Sequence, residues 1–380
     1  MDLPSAFPTA RSHRLVLLLE VARGLAALWV FLFHVRPLFE ISSPVVYQLS
    51  AYGSLGVPMF FVISGYVITY SAESNLEKKN SPVVFLRSRF LRIYPTFWVS
   101  VVVVLILPYL LELISSLKSG VYTTPENLIS KYSNIEWSNF LLLSKVFWAT
   151  SDDLQAEFNA INSVYWTLAI EFQFYLVVFV SLFFKSHYKY AIGLVSIVSL
   201  LVMFVPLQAN YGLFINYWPS FLVGIVLAYM HRNGIYVTSL LTNKTSQLAA
   251  FVFVSMLIIC SVVFSSSVVL FAVCFGLFLW VISGFEKCLN KIHGDENIIH
   301  YWLLKPWLVL GAMSYSVYLL HGKLYQLPYM FVRQVVDVNN FLSGLLIIIG
   351  TLFICYPFYL FVESRFLSKS YKQLQDKALA

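Results

Sequence analysis

The sequence predicts an all-α, polytopic membrane bundle of about ten transmembrane helices, and three observations predict it. Hydrophobic residues make up 59% of the 380 and charged residues only 11%. Mean hydropathy is +0.77, far above that of soluble globular chains. Apolar windows of about 20 residues, the length that crosses a bilayer, recur along nearly the whole chain.

In order, the windows fall at 15–36, 53–72, 94–115, 161–184, 189–206, 211–230, 247–264, 266–284, 306–327 and 340–362. Most of the 25 Lys and Arg residues lie in alternate connections, including Lys78, Lys79, Arg87, Arg89 and Arg92, and later Arg365, Lys369, Lys372 and Lys377. Under the positive-inside rule this sets both termini in the cytosol. The net charge of +7 is then topological and does not point to nucleic acid. The division that follows is a cytosolic tail over 1–14, a membrane domain over 15–362 and a second cytosolic tail over 363–380. Residues 15–19 do not read as a cleavable signal, because Glu20 and Arg23 interrupt the apolar run.

Short connections imply neighbouring antiparallel helices. Two connections are longer. Residues 116–160 form an external loop with Glu126, Glu136, Asp152, Asp153 and Glu157; its stretch 137–148 is too short to span and reads as an interfacial or re-entrant helix. The cytosolic loop 285–305 mixes charge signs and reads as solvated. Cys260, Cys274, Cys288 and Cys355 lack CxxC spacing and read as apolar filler, and no His/Asp/Glu cluster has metal spacing.

Polar residues inside the windows carry the functional signal. The first window, LVLLLEVARGLAALWVFLFHVR, holds Glu20, Arg23 and His34. A charge deep in a bilayer costs roughly 2.5–3.5 kcal/mol on insertion scales, so its presence asks for a function. Arg23 and His34 fall within about 20° of one helix face and about 16 Å apart along the axis. Glu20 reads as the i,i+3 partner of Arg23. In GVPMFFVISGYVIT, Ser64-Gly65 reads more as small-residue packing than as chemistry. In FLRSRFLRIYPTFW, Arg87, Arg89 and Arg92 precede Pro95, which is placed in the first turn of the third helix. Three guanidiniums there suit phosphate groups, or serve as ordinary anchors.

The fourth window opens NSVYWTLAIEFQFYL, with Thr167, Glu171 and Tyr175 on one face and Asn162, Trp166 and Gln173 on another. Glu171 must be protonated, paired with a cation or an imidazole from another helix, or face a wet cavity. The ninth carries GAMSYSVYLLHGKLY, whose Ser314, Tyr318, His321 and Tyr325 make a polar stripe. Topology puts Arg89 and Arg92 at a cytosolic mouth, Arg23 in the cytosolic half, Glu171 near the middle, and His34 and His321 towards the outside. The result is a polar passage.

These pieces together resemble the membrane acyltransferase-3 family. The resemblance rests on Arg23-Gly24 through His34, GVPMFFVISGY at 56–66, RFLRIYP at 89–95, WTLAIEFQFYL at 166–176 and SYSVYLLH at 314–321, with Glu363 a weaker match. They run in family order over essentially the whole chain. Two departures stand out: Pro58 where many relatives carry an acid, and no proline soon after Glu363, so neither site takes weight. The resemblance implies O-acylation of a glycan, lipid-linked glycan or exopolysaccharide hydroxyl in a bacterial cytoplasmic (inner) membrane. The donor would be acyl-CoA, acetyl by family habit, with no bound cofactor. On this reading Arg89 and Arg92 hold the donor phosphates and Arg23 lies along the pantetheine arm. His34 is the general base, with Glu171 orienting its imidazolium; an acyl-histidine intermediate is the alternative. Glu20, Ser64, Tyr165, Trp166, Ser314, Tyr315 and His321 support the site. A secondary transporter or flippase is the rival from another class.

Overall fold

The computed structural model describes residues 10–144, 161–204, 213–241, 243–264, 267–283, 298–337, 339–367 and 372. Every regular element among them is helical. The chain opens with α1 (Ala10–Val35), so residues 10–14, read from sequence as tail, continue the first helix. A short α2 (Pro44–Ala51), capped by Ser43, leads into α3 (Gly56–Glu77). The third window proves to be the middle of a much longer helix, α4 (Pro82–Ser119), of 38 residues.

The start of α4 corrects the placement of Pro95. Ser81 caps the helix by accepting from the Val83 N–H, and Pro82 stands in the first turn, where its missing N–H is not needed. Pro95 and Pro108 both lie inside the helix. Arg87, Arg89 and Arg92 are therefore helical residues, aligned with the membrane-crossing part rather than hanging from a loop. At the other end Gly120 takes φ +70° and ends α4, a conformation that favours glycine.

Beyond it come α5 (Leu128–Lys131) and α6 (Asn134–Leu141), the latter closed by a reciprocal capping box of Ser133 and Glu136. The interfacial segment expected at 137–148 overlaps α6 in part; residues 145–148, and Asp152, Asp153 and Glu157 further along the same loop, lie outside the described residues. Next are α7 (Trp166–Leu182), α8 (Tyr188–Val202), α9 (Trp218–Arg232), the single turn α10 (Val237–Leu240), α11 (Lys244–Phe264) and α12 (Val268–Ser283).

The ninth window is not one helix. It divides into α13 (Ile298–Ala312), α14 (Ser314–Leu324) and α15 (Gln326–Val332), with breaks at Met313 and Tyr325. Part of the loop expected at 285–305 is thus helical, and 284–297 lie outside the described residues with Cys288. The last long helix, α16 (Phe341–Phe361), starts from an Asn340 cap and runs into a 3-10 turn at Glu363–Phe366.

Five stretches are long and apolar enough to cross a membrane: Leu18–Phe39, Pro44–Glu77, Pro82–Ser119, Lys244–Val263 and Phe341–Phe366. The exterior suits that solvent. Phe253, Met256, Ile259, Leu194, Leu201 and Phe353 are all exposed, an apolar surface that lipid accepts and water penalises. Inside, α1 contacts α3, α13 and α14; α3 packs along α9; α4 packs on α7 and α14; and α14 and α15 lean on α16. Trp218, Tyr94, Tyr165, Phe97 and Phe174 are among the large fully buried side chains where these helices meet.

Two crossings are set by glycine. A Cβ on Gly311 would lie 2.1 Å from the Glu20 carbonyl oxygen, and one on Gly24 2.8 Å from the Gly311 nitrogen. A Cβ on Gly224 would lie 1.9 Å from the Val62 oxygen, and one on Gly65 2.1 Å from the Phe221 oxygen. Only bare backbone fits, so α1 meets α13, and α3 meets α9, at van der Waals contact of main chains.

Candidate active site

The α1–α13 crossing fixes what lies further along both helices. His34 stands ten residues past Gly24, and His321 ten past Gly311. The two imidazoles face each other edge to face, with ring centroids 4.9 Å apart. His321 is fully buried, whereas His34 keeps partial access to solvent.

Their hydrogen bonds determine where the protons sit. His321 Nδ1 lies 2.9 Å from the Val317 carbonyl, which can only accept, so Nδ1–H donates and Nε2 of the neutral ring holds the lone pair. His34 Nδ1 lies 2.9 Å from the Val30 carbonyl and 3.2 Å from His321 Nε2, both acceptors. His34 Nδ1 therefore carries a proton shared between them. The neutral His34 ring is left with an available lone pair on Nε2.

From this pair a line of polar and aromatic groups runs to the arginines. The Tyr318 ring abuts His321 at 5.9 Å and meets the edge of Phe60 at 5.5 Å. Its hydroxyl is 2.5 Å from Thr167 Oγ1 and donates to the Val164 carbonyl at 3.1 Å. One turn on along α7, Glu171 Oε1 accepts from Ser64 at 2.9 Å and from Tyr175 at 2.7 Å. Arg89 is electrostatically adjacent to both Tyr175 and Glu171, and it donates to Ser71 Oγ at 3.2 Å. His34, Ser64, Glu171, Arg89, Arg23 and Tyr315 are each partly exposed.

Glu171 was expected beside an imidazole or cation from another helix, and Arg89 of α4 is the cation electrostatically near it, while its hydrogen bonds come from Ser64 and Tyr175. The group that touches His34 is not Glu171 but His321. The stripe Thr167, Glu171 and Tyr175 does act as one face, but it faces α3 and Tyr318. Ser64, weighed as packing, is the residue whose hydroxyl reaches Glu171; Gly65 beside it does the packing.

The remaining sequence-derived residues are distributed as follows. Arg23 Nη1 lies 3.4 Å from Glu20 Oε1. Arg92 Nη2 is 3.1 Å from Glu363 Oε1 and its guanidinium sits 5.6 Å over the Tyr315 ring. Tyr315 donates to the Ile93 carbonyl at 3.0 Å. Tyr165 is buried with its hydroxyl 3.0 Å from Ser100 Oγ, and Trp166 packs on Tyr217 at 5.5 Å. Ser314 is buried, with no hydrogen-bond partner for its hydroxyl among the described residues.

Glu363 has more contacts than its position after the last window implied. It is fully buried, pairs with Arg92, and accepts from both the N–H of Ser316 at 3.0 Å and its hydroxyl at 2.6 Å. An acidic residue directly after an apolar run was the available signal. Tyr175 and Tyr318 were visible as stripe residues, though not as site members.

The architecture defines an integral membrane protein with an open imidazole at one end of an internal polar line and arginines at the other. It belongs to the acyltransferase-3 family, whose acyltransferase domain matches residues 17–360. Over 334 residues it is 25% identical to the peptidoglycan O-acetyltransferase OatA of Listeria monocytogenes, covering 82% of this chain and 50% of that protein. Over 162 residues it is 30% identical to the acyltransferase MdmB of Streptomyces mycarofaciens, covering 40% of this chain and 36% of that one. The chain thus matches half the length of the first relative and about a third of the second. No solved structure matches it.

Proposed function

We propose that the protein is a membrane O-acyltransferase that moves an acyl group, acetyl in the first instance, from acyl-CoA to a hydroxyl of a cell-surface glycan or its lipid-linked precursor. The observation that carries this reading is the His34 ring, held through Nδ1 and open at Nε2. Family membership and the relatives' O-acetyltransferase and acyltransferase names support the reaction class.

An alcohol is too weak an acid to attack a thioester unaided. His34 Nε2 takes the hydroxyl proton as the oxygen adds to the thioester carbonyl. The tetrahedral intermediate then collapses, the C–S bond breaks, and the departing thiolate takes the proton back from His34. The products are the ester and free CoA thiol. While His34 is charged, its Nδ1–H bond to His321 Nε2 spreads the charge over two rings, the part first assigned to Glu171. Arg89 and Arg92 meet the donor phosphates, Arg23 flanks the extended pantetheine arm, and Glu171 with Ser64 and Tyr175 offers polar contacts to its amides. With both termini in the cytosol, the donor enters from the cytosolic side and the acceptor meets His34 from the outside of the inner membrane.

The test is transfer of radiolabel from acetyl-CoA to cell-surface glycans by the detergent-purified protein. Wild type should transfer and His34→Ala should not; equal rates would refute the mechanism. Arg89→Ala with Arg92→Ala should raise KM for acetyl-CoA more than KM for acceptor. Equal shifts would reduce both arginines to membrane anchors.

A further inference from the structure

Glu363 lies far in sequence from every motif of the site, yet it touches two of its parts with a single carboxylate. Oε1 takes Arg92 Nη2 at 3.1 Å. Oε2 takes the Ser316 N–H at 3.0 Å and the Ser316 hydroxyl at 2.6 Å. Ser316 belongs to the first turn of α14, the helix that begins afresh after the break at Met313. The first N–H groups of a helix have no intrahelical acceptor and favour a negative charge. Met313, at the cap position, supplies no side-chain acceptor. Glu363 supplies it from another segment of the chain.

Five residues past Ser316 the same short helix carries His321, whose Nε2 accepts from His34. Arg92 on the other side belongs to the helix that carries Arg89. The Tyr315 ring under the Arg92 guanidinium, and the Tyr315 hydroxyl on the Ile93 carbonyl, close the same joint from below.

We propose that Glu363 is a positioning residue that ties the donor-binding arginine to the helix bearing the histidine pair. One oxygen aims Arg92, and the other anchors the start of α14 and with it the height of His321 against His34. This rests on the acyltransferase reading above. It assigns the carboxylate two separable duties, one in donor affinity and one in the chemical step.

Substitutions separate the duties. Glu363→Gln keeps an oxygen for the Ser316 N–H but removes the charge that holds Arg92. It should raise KM for acetyl-CoA about tenfold, within the range for neighbours coupled in one ion pair, with kcat within a few-fold of wild type. Glu363→Ala removes both contacts, so the rise in KM should be joined by a fall in kcat of about tenfold or more and by a shifted pH–rate profile. Glu363→Asp, shorter by one methylene, should recover part of the KM. A thermal-unfolding measurement on each variant in detergent restricts the comparison to folded protein; should Glu363→Ala not fold, the Gln and Asp variants carry the test. If Glu363→Gln leaves KM for acetyl-CoA unchanged, or changes kcat and both KM values equally, the joint is refuted while wild-type turnover upholds the acyltransferase reading. If wild type transfers nothing from acetyl-CoA while His34→Ala is equally silent, that reading fails first and this inference falls with it.

Discussion

The α1–α13 and α3–α9 pairs use the same packing device and end in different chemistry. In each, facing glycines bring main chains so close that a methyl group would overlap a carbonyl oxygen. Beyond its crossing, the α3–α9 pair ends in Glu73, Glu77, His231 and Arg232. There Arg232 bonds both Glu73 and Glu77, and Lys189 Nζ stands 3.8 Å from Glu73. His231 uses both ring nitrogens, Nδ1 at 3.4 Å from the Tyr66 hydroxyl and Nε2 at 3.0 Å from Ser283 Oγ, and stacks on Tyr236 at 5.1 Å. The α1 pair ends in His34, which has one nitrogen engaged and one open. Glycine crossings therefore fix depth and rotation without creating chemistry. Reactivity comes from the group left over when neighbouring acceptors have been counted.

That contrast is most directly broken by paired substitutions. His34→Gln should lower kcat for acyl transfer by about 10²–10⁴, the usual weight of a general base. His231→Gln should keep kcat within about threefold, while lowering stability by about 1–3 kcal/mol because the Tyr66 and Ser283 hydroxyls lose a well-placed partner. Comparable losses of kcat would end the distinction between the two histidines. The pH dependence follows with a definite sign. Protonation of His34 Nε2 removes the lone pair, so transfer must fall on the acid side, about tenfold per pH unit below the midpoint, and level off above it. His321→Gln should move that midpoint and His231→Gln should not, as read from kcat against pH.

The two crossings themselves give the next effect. Gly224→Ala and Gly311→Ala each force a methyl group onto a carbonyl, and either overpacking should cost about 1–3 kcal/mol of stability. Only Gly311→Ala should also slow the protein that remains folded. It displaces α1 against the segment that leads into α14, and a shift of about 1 Å between reacting groups can cost up to 10²-fold. Activity normalised to folded protein, measured for both variants, tests this; equal normalised rates would mean that the α1–α13 contact does not position the histidine pair.

Much of the bundle is visible in the sequence because hydropathy is a local property. Depth is visible too: the eleven-residue spacing of Arg23 and His34, and the position of His321 near the end of its window, put the right groups at comparable heights. Rotation is not visible. Whether His34 meets Glu171 or His321 depends on which face α1 turns towards α14. That is decided by Gly24 against Gly311, two residues that nothing in the sequence pairs. The start of α4 was legible in principle, since Ser81-Pro82 is a stronger beginning than Pro95, but an apolar window does not register a polar first turn. The break at Met313 leaves no Pro or Gly directly at that position, and its partner Glu363 is 50 residues away. Contacts of that kind exist only after folding.

The smallest effect concerns Ser64-Gly65, where neighbouring residues divide the two roles. Gly65 serves the crossing with α9, and Ser64 points to the other side and donates to Glu171. Ser64→Ala removes one of two donors on Glu171 Oε1 while Tyr175 keeps the other at 2.7 Å. A net cost of about 0.5–1.5 kcal/mol is expected for one such bond, a few-fold rise in KM for acetyl-CoA with kcat little changed. Tyr175→Phe should do about the same alone. Together they strip Oε1 of both donors, and the double variant should lose more than the sum, because the last bond protects a partly buried carboxylate from standing unsatisfied. Strict additivity would mean that Glu171 is already well solvated and that the line between the arginines and the histidines is wetter at its middle than its hydrogen bonds suggest.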